Sequence, residues 1–221
     1  MEPFVTHRGR VALLDWSDVN TDLIIPARYL KRIERTGYGP LLFADKRYVP
    51  GGAPEPDDPD KHGASLPDFP LDRPEAKGAS ILVVGPNFGC GSSREHAVWA
   101  VAQAGFRVVV GKGKDEGFAD IFEGNAYNNG LLPLELPASD WEAVAEAARS
   151  TGGVEATIDL QNLTLIVHGP GGDKAIKIEV PEGQRQRLLQ GLDAIGETLR
   201  HDAEITRHEQ SRPVWLTPTI A

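Results

Sequence analysis

Apolar positions along the chain change their period several times, and each change predicts an element. Residues 11–14 read as a short strand, followed by the polar stretch Asp15-Trp16-Ser17-Asp18-Val19-Asn20-Thr21-Asp22 and by the triplet Leu23-Ile24-Ile25, which Pro26 closes. Residues 28–35 (RYLKRIER) mix four cations with a few apolar side chains before Gly37 and Gly39, so a cationic loop or short helix is expected there. The run Ala79-Ser80-Ile81-Leu82-Val83-Val84 is apolar without alternation, as in a strand covered on both faces. A glycine-rich turn over residues 85–91 follows. Ser92 and Ser93 suit helix N-caps, and residues 94–104 place Val98, Val101 and Ala102 at helical spacing before Gly105. Residues 106–110 form a second buried strand, so the whole is a βαβ unit expected to cross over right-handed.

Beyond it, residues 118–129 look helical with Gly130 as their stop, and 131–136 return as a strand. Ser139-Asp140-Trp141-Glu142 has the form of a capping box opening a helix to about Arg149. After Thr151-Gly152-Gly153, alternating runs at 156–160, 163–168 and 175–180, joined by Gln161-Asn162 and residues 169–173, predict a small antiparallel meander. Residues 181–190, ended by Gly191, and 202–211 are expected to be helical. Pro, Gly and Asp dominate residues 50–74, which read as a mobile, solvated excursion and not as a lid. The fold class is α/β: one domain over 1–221, with a mostly parallel core sheet, a small antiparallel annex, a flexible Pro-rich excursion at 50–74 and a C-terminal helical extension at 181–221.

Charge and cysteine count narrow the function. With 32 acidic against 23 basic residues the net charge is -9, which disfavours nucleic-acid binding because that affinity is carried by Lys and Arg. A local basic cleft for a small diacid remains open, since the field in a cleft depends on the charges lining it. Residues 1–10 hold no apolar signal core and no later run reaches membrane length, so the chain is expected in the cytoplasm with no membrane partner. Cys90 is the single cysteine. No intrachain disulfide is possible, and an iron-sulfur cluster needing several thiolates cannot be held by this chain alone.

The segment Asn87-Phe88-Gly89-Cys90-Gly91-Ser92-Ser93-Arg94-Glu95-His96 falls where a buried parallel strand feeds a helix, the usual ligand position in such folds. Backbone N–H groups at a helix start favour an anion, the glycines allow close backbone approach, the serines offer hydroxyls, and Arg94 offers a fork matched to a carboxylate. The same residues also fit a capped helix start whose Arg94 and Glu95 form a surface pair, and the turn lacks the lysine of a phosphate-binding P-loop. Spacing alone leaves both readings open.

The string NFGCGSSREH resembles the signature of the mobile domain of the aconitase family. The likeness continues through Asn20-Thr21-Asp22-Leu23-Ile24-Ile25-Pro26, Arg35-Thr36-Gly37-Tyr38-Gly39, Phe118-Ala119-Asp120-Ile121-Phe122, Asn128-Asn129-Gly130-Leu131-Leu132-Pro133 and Gly191-Leu192-Asp193-Ala194-Ile195-Gly196, nearly the whole chain. The resemblance implies a swivelling β/β/α domain that forms a separate small subunit and docks on a large subunit. That partner would hold a [4Fe-4S] cluster through three cysteines, with one iron open to a small hydroxy-dicarboxylate substrate. It implies a hydro-lyase that moves the hydroxyl of 2-isopropylmalate to the neighbouring carbon by dehydration and rehydration. The alternatives are a homoaconitate or methylmalate type of enzyme, or a non-catalytic regulatory paralogue.

By the same resemblance Ser92 is the base that removes the substrate proton, Asp22 is a second catalytic residue, Ser93 and Arg94 bind substrate, and Lys31 and Arg32, with Arg35 nearby, recognise the substrate's side group or distal carboxylate. No metal ligand is implied in this chain. A serine hydroxyl is a poor base, so Ser92 needs cations and N–H dipoles that lower its pKa. The plainer readings are an Asx turn at Asp22 and a solvated basic face at Lys31, Arg32 and Arg35. Cys90 has no triad-like partner and reads as a neutral thiol, His96 reads as packed on its helix, and His168, His201 and His208 lack metal-ligand spacing. The excursion at 50–74 and the charged turn at 112–117 depart from the family pattern.

Overall fold

The computed structural model describes residues 1–113, 116–150, 152–169 and 171–213. Seven strands form one mixed sheet: β1 (Thr6–Leu14), β2 (Ile81–Val84), β3 (Val108–Lys112), β4 (Leu132–Leu136), β5 (Val154–Asp159), β6 (Thr164–Gly169) and β7 (Gly172–Lys177), in the order β4-β3-β2-β1-β5-β6-β7. β1 to β4 are parallel neighbours, whereas β5 to β7 are antiparallel. The expected annex is therefore continuous with the core. β1 joins the two halves: its residues 11–14 pair with β2, and residues 6–11 pair antiparallel with β5. The apolar pattern marks only the half of β1 buried beside β2; Thr6–Arg10 is polar and half-exposed, and reveals itself as strand only through its partner.

β2 is buried at all four positions because both faces are covered. Leu82 and Val84 face a cluster with Leu14, Phe88, Val98 and Phe122, while Ile81 and Val83 face a second with Val110, Trp141, Val144 and Ile158. The helices supplying these layers are α3 (Glu95–Gln103), α4 (Asp120–Asn128) and α5 (Ala138–Arg149). Trp141 is fully buried and its indole N–H donates to the Val84 carbonyl at 2.8 Å, tying α5 to the end of β2.

Two expected caps do not form. α5 opens after Pro137 with no side-chain cap, so Ser139 lies inside its first turn. Before α3, Arg94 is extended (φ -136°, ψ 105°) and occupies the N-cap position, which leaves Ser92 and Ser93 upstream of the helix. The apolar triplet at 23–25 lies in a turn: α1 (Thr21–Ile24) is one short helical turn, capped by the Asn20 side chain accepting from the Leu23 N–H at 2.8 Å. A second short turn, α2 (Ala44–Arg47), precedes the Pro-rich stretch.

At the C-terminus α6 (Glu182–Gln190) ends at Gly191 in the left-handed region (φ 67°). Asp193 then caps α7 (Ala194–Leu199), accepting from the Gly196 N–H at 2.6 Å, before α8 (Asp202–Gln210). The Gly-Leu-Asp-Ala-Ile-Gly string is thus a helix stop followed by a helix start, and α7 is an element the periodicity did not predict. Lys114 and Asp115 of the charged turn, and residues 214–221 of the extension, lie outside the described residues.

Residues 50–74 are anchored to the body of the protein at particular points, while most of 55–68 is exposed. Phe69 is 3% exposed and packs edge-on to Trp16 and tilted against Phe43, with ring centroids 6.2 and 6.0 Å apart. Arg47 grips Asp72 with two bonds of 2.8 and 2.6 Å, the Tyr29 hydroxyl donates to the Pro54 carbonyl at 2.7 Å, and the Leu66 N–H donates to Arg47 at 2.7 Å. Removing the buried aromatic anchor should loosen this segment: Phe69→Ala is expected to cost about 3 kcal/mol of unfolding free energy and to expose residues 50–68 to proteolysis. A loss below about 1 kcal/mol in denaturant titration, with no new cleavage, would show that Phe69 does not hold it.

Candidate active site

The end of β2 does not release its chain into a free loop. On one side, Asp18 N–H donates to the Pro86 carbonyl at 3.0 Å, Gly89 N–H to Val19 at 2.7 Å, and Thr21 N–H to Cys90 at 2.8 Å. On the other, Asn87 N–H donates to Glu116 at 2.7 Å, Phe88 N–H to Gly117 at 3.0 Å, and Ala119 N–H to Phe88 at 3.1 Å. The glycine-rich segment therefore runs as a pseudo-strand between two neighbours. Gly89 is required twice over: its φ is +80°, and a Cβ there would lie 2.3 Å from the Phe122 ring, which itself packs edge-on to Phe88 at 5.1 Å.

This frame leaves Gly91, Ser92 and Ser93 exposed at the rim, just ahead of α3. Neither serine hydroxyl is engaged by another described residue. Arg94, 15% exposed at its side chain, turns back and pairs with the more exposed Asp22 carboxylate on α1. Four of the predicted site residues, Asp22, Ser92, Ser93 and Arg94, thus meet where α1 faces the start of α3. The Arg94–Glu95 pair does not form. Glu95 instead accepts from the Asn129 side chain at 2.9 Å, and Asn129 accepts from the Trp99 indole at 3.0 Å, so the end of α4 braces the first turns of α3. Asn129 is marked in the sequence only by the Asn-Asn-Gly string at the helix stop.

The cationic loop is strapped to the same helix. A 3-10 turn spans Ala27–Lys31, and Lys31 is exposed at its end. Arg32 is turned inward, with 7% of its side chain exposed. It donates to the Pro56 carbonyl and, at 3.2 Å, to the Thr36 carbonyl, and its guanidinium lies 5.6 Å from the Tyr38 ring centre. Gln103 of α3 closes the strap by accepting from Tyr38 N–H at 2.8 Å and donating to the Arg35 carbonyl at 2.7 Å. A solvated basic face therefore describes Lys31 but not Arg32.

His96 packs against Trp99 and Tyr38 at 4.8 and 5.6 Å, and burial holds its pKa below the ordinary value, which favours the neutral ring. Burial, reinforced by the charge of Asp18, pushes the Cys90 thiol up, so it stays protonated near neutrality. Among the described residues no group of three His, Cys, Asp or Glu side chains is placed to hold a metal ion. Hollows of about 480 and 590 Å³ lie elsewhere, one beside Arg47, Tyr48 and His62, the other beside Tyr127 and Pro181. The serine rim is open surface. Among the described residues it presents a guanidinium paired with a carboxylate and two accessible hydroxyls beside a helix start, and it borders neither of these hollows.

The Aconitase C-terminal domain family matches residues 1–139. Among curated proteins, the chain is 47% identical over 221 residues to a 3-isopropylmalate dehydratase small subunit of Parafrankia sp., covering 100% of both chains. It is 44% identical over 224 residues to a protein of the same name from Desulforapulum autotrophicum, covering 98% of each. Among solved structures it resembles 3-isopropylmalate dehydratase from Methanocaldococcus jannaschii, with a TM-score of 0.60 and 27% identity over 92% of this chain and 99% of that one.

The raised Cys90 pKa has a direct consequence for reactivity, since only the thiolate attacks. Alkylation by iodoacetamide should be slower in the folded chain than in the unfolded chain at pH 8, and its rise with pH should be centred above the value of about 8.5 for a free thiol. A folded-state midpoint below that value would contradict the assigned environment.

Proposed function

The chain belongs to the aconitase family, and from that membership we propose that it works as the small subunit of a 3-isopropylmalate dehydratase, the hydro-lyase that isomerises 2-isopropylmalate to 3-isopropylmalate in leucine biosynthesis. The observation that carries this reading is the convergence of Ser92, Ser93, Arg94 and Asp22 on one exposed rim, with Arg94 already fixed by the Asp22 carboxylate. A guanidinium held in place can receive a substrate carboxylate without reorganising.

Each residue then has a chemical task. Arg94 binds the carboxylate beside the reacting carbon and brings positive charge close to Ser92. That charge and the N–H groups opening α3 favour the ionised hydroxyl, so Ser92 can take the proton from carbon and later return it. Ser93 adds a hydrogen bond to the substrate, and Asp22 holds the arginine in register. Lys31 and Arg32 serve the loop that meets the far end of the diacid, Lys31 through its exposed ammonium and Arg32 by bracing the loop from within.

The opposing face of the proposed site is assigned to a large-subunit partner, and the [4Fe-4S] cluster is assigned to that partner as well. This chain does not fit the role of cluster holder: it has one cysteine, and burial keeps that thiol protonated. The domain closes as a single unit over 1–221, excluding water when it docks. Cytoplasmic location fits a chain in which no described helix is long and apolar enough to cross a membrane, and the -9 charge speaks against nucleic acid as a partner.

Reconstitution with a cluster-bearing large subunit tests the assignment. Ser92→Ala should lower turnover of isopropylmalate on the order of 100-fold or more, the scale of a lost general base, while copurification with the partner is unchanged. Arg94→Lys should raise KM, because an ammonium cannot replace the two-pronged contact. Full turnover by Ser92→Ala would remove the serine from its role, and preference for a longer or unbranched diacid in a substrate panel would reassign the enzyme within its family.

A further inference from the structure

Thr21 is the one polar residue buried in the core among the described residues, at 2% exposure. A hydroxyl taken from water must be hydrogen-bonded or it destabilises the fold. Its Oγ1 donates to the Ser92 carbonyl at 3.0 Å, and its backbone N–H donates to the Cys90 carbonyl at 2.8 Å. The two bonds bracket Gly91, which sits at φ +94° with the Thr21 hydroxyl 3.6 Å from where its Cβ would be. Glycine has the widest backbone freedom of any residue, so a single hydrogen bond on one side would leave the next peptide plane able to turn about it. Bonds on both sides do not.

We propose that Thr21 is a positioning residue for Ser92. By holding the Cys90–Gly91 and Ser92–Ser93 peptide planes, the second of which is attached directly to the Ser92 Cα, it sets the direction of the Ser92 side chain while leaving the serine hydroxyl unoccupied. The next residue, Asp22, holds Arg94 in the same way. One turn of α1 is therefore a template for two neighbouring members of the signature, and the proposal rests on Ser92 acting as the base.

The test uses the reconstituted two-subunit enzyme. Thr21→Val keeps the β-branched shape and the backbone bond to Cys90 but deletes the bond to Ser92, whose carbonyl belongs to an exposed residue that water can reach. The expected result is a kcat lower by roughly 10-fold or more, the scale of a sub-ångström misplacement of a reacting group, with KM changed by less than about 2-fold. Thr21→Ser, which retains the hydroxyl, should recover most of that loss. Ile158→Val, in β5 and remote from the rim, controls for destabilisation and should leave kcat unchanged. If Thr21→Val keeps the normal kcat while Ser92→Ala is inactive, the clamp is overturned and the function stands. Loss in Thr21→Ser equal to that in Thr21→Val overturns it too, because methyl packing would then be the cause. Normal turnover by Ser92→Ala overturns both readings together.

Discussion

Backbone hydrogen bonding of residues 86–90 to both neighbouring segments is the constraint on which the rim depends. A stretch with glycines at 85, 89 and 91 has a high conformational entropy to lose. Pairing with residues 18–21 on one side and 116–119 on the other overcomes it, by carrying the parallel sheet's logic past the last formal residue of β2. The glycines that loosen the unfolded chain are what permit this close approach. Gly85 lies where a Cβ would meet the Trp16 carbonyl at 2.5 Å, and Gly89 lies against Phe122. Rigidity here comes from the neighbours and not from the segment itself.

On that frame the polar groups fall into two sets. Ser92 and Ser93 face outward with open hydroxyls, while Thr21, Asp22, Glu95, Asn129 and Gln103 bond inward to backbone or to other side chains. Within the second set Thr21 bonds to the Ser92 backbone and Asp22 to Arg94, while Glu95, Asn129 and Gln103 brace α3. Such a division suits a reaction in which a weak base must be aimed accurately, because geometric precision substitutes for intrinsic basicity. It also accounts for a site whose chemistry sits on open surface. The protein presents one face of the proposed site, and the proposed function assigns the opposing face to a partner.

The cationic loop shows how a charge pattern misleads when its partners are carbonyls. Four cations in eight residues look like a solvated face, yet the Arg32 side chain is turned inward and donates to the Pro56 and Thr36 carbonyls, and Arg28 pairs with Asp45 at 2.5 Å. Carbonyl acceptors come with every residue type, so nothing in the composition of the Pro-rich stretch marks Pro54 or Pro56 as contacts. The same holds for Phe69, an isolated aromatic among prolines and aspartates, which is part of the core.

The amino-acid sequence by itself determined the buried parallel strands, the helices between them, the strand-to-helix position of the serines and the inability of one cysteine to hold a cluster. Those are local properties: periodicity, glycine punctuation and a count. Tertiary structure alone decided that β1 extends through Thr6–Arg10 to fuse the two halves of the sheet, that Arg94 pairs with Asp22 across 72 positions in sequence, and that Thr21 clamps the turn at Ser92. Each of these is a contact between residues distant along the chain, and whether a serine near a helix start caps that helix or stands free depends on where the chain bends. Here the extended backbone at Arg94 settled it in favour of the open rim.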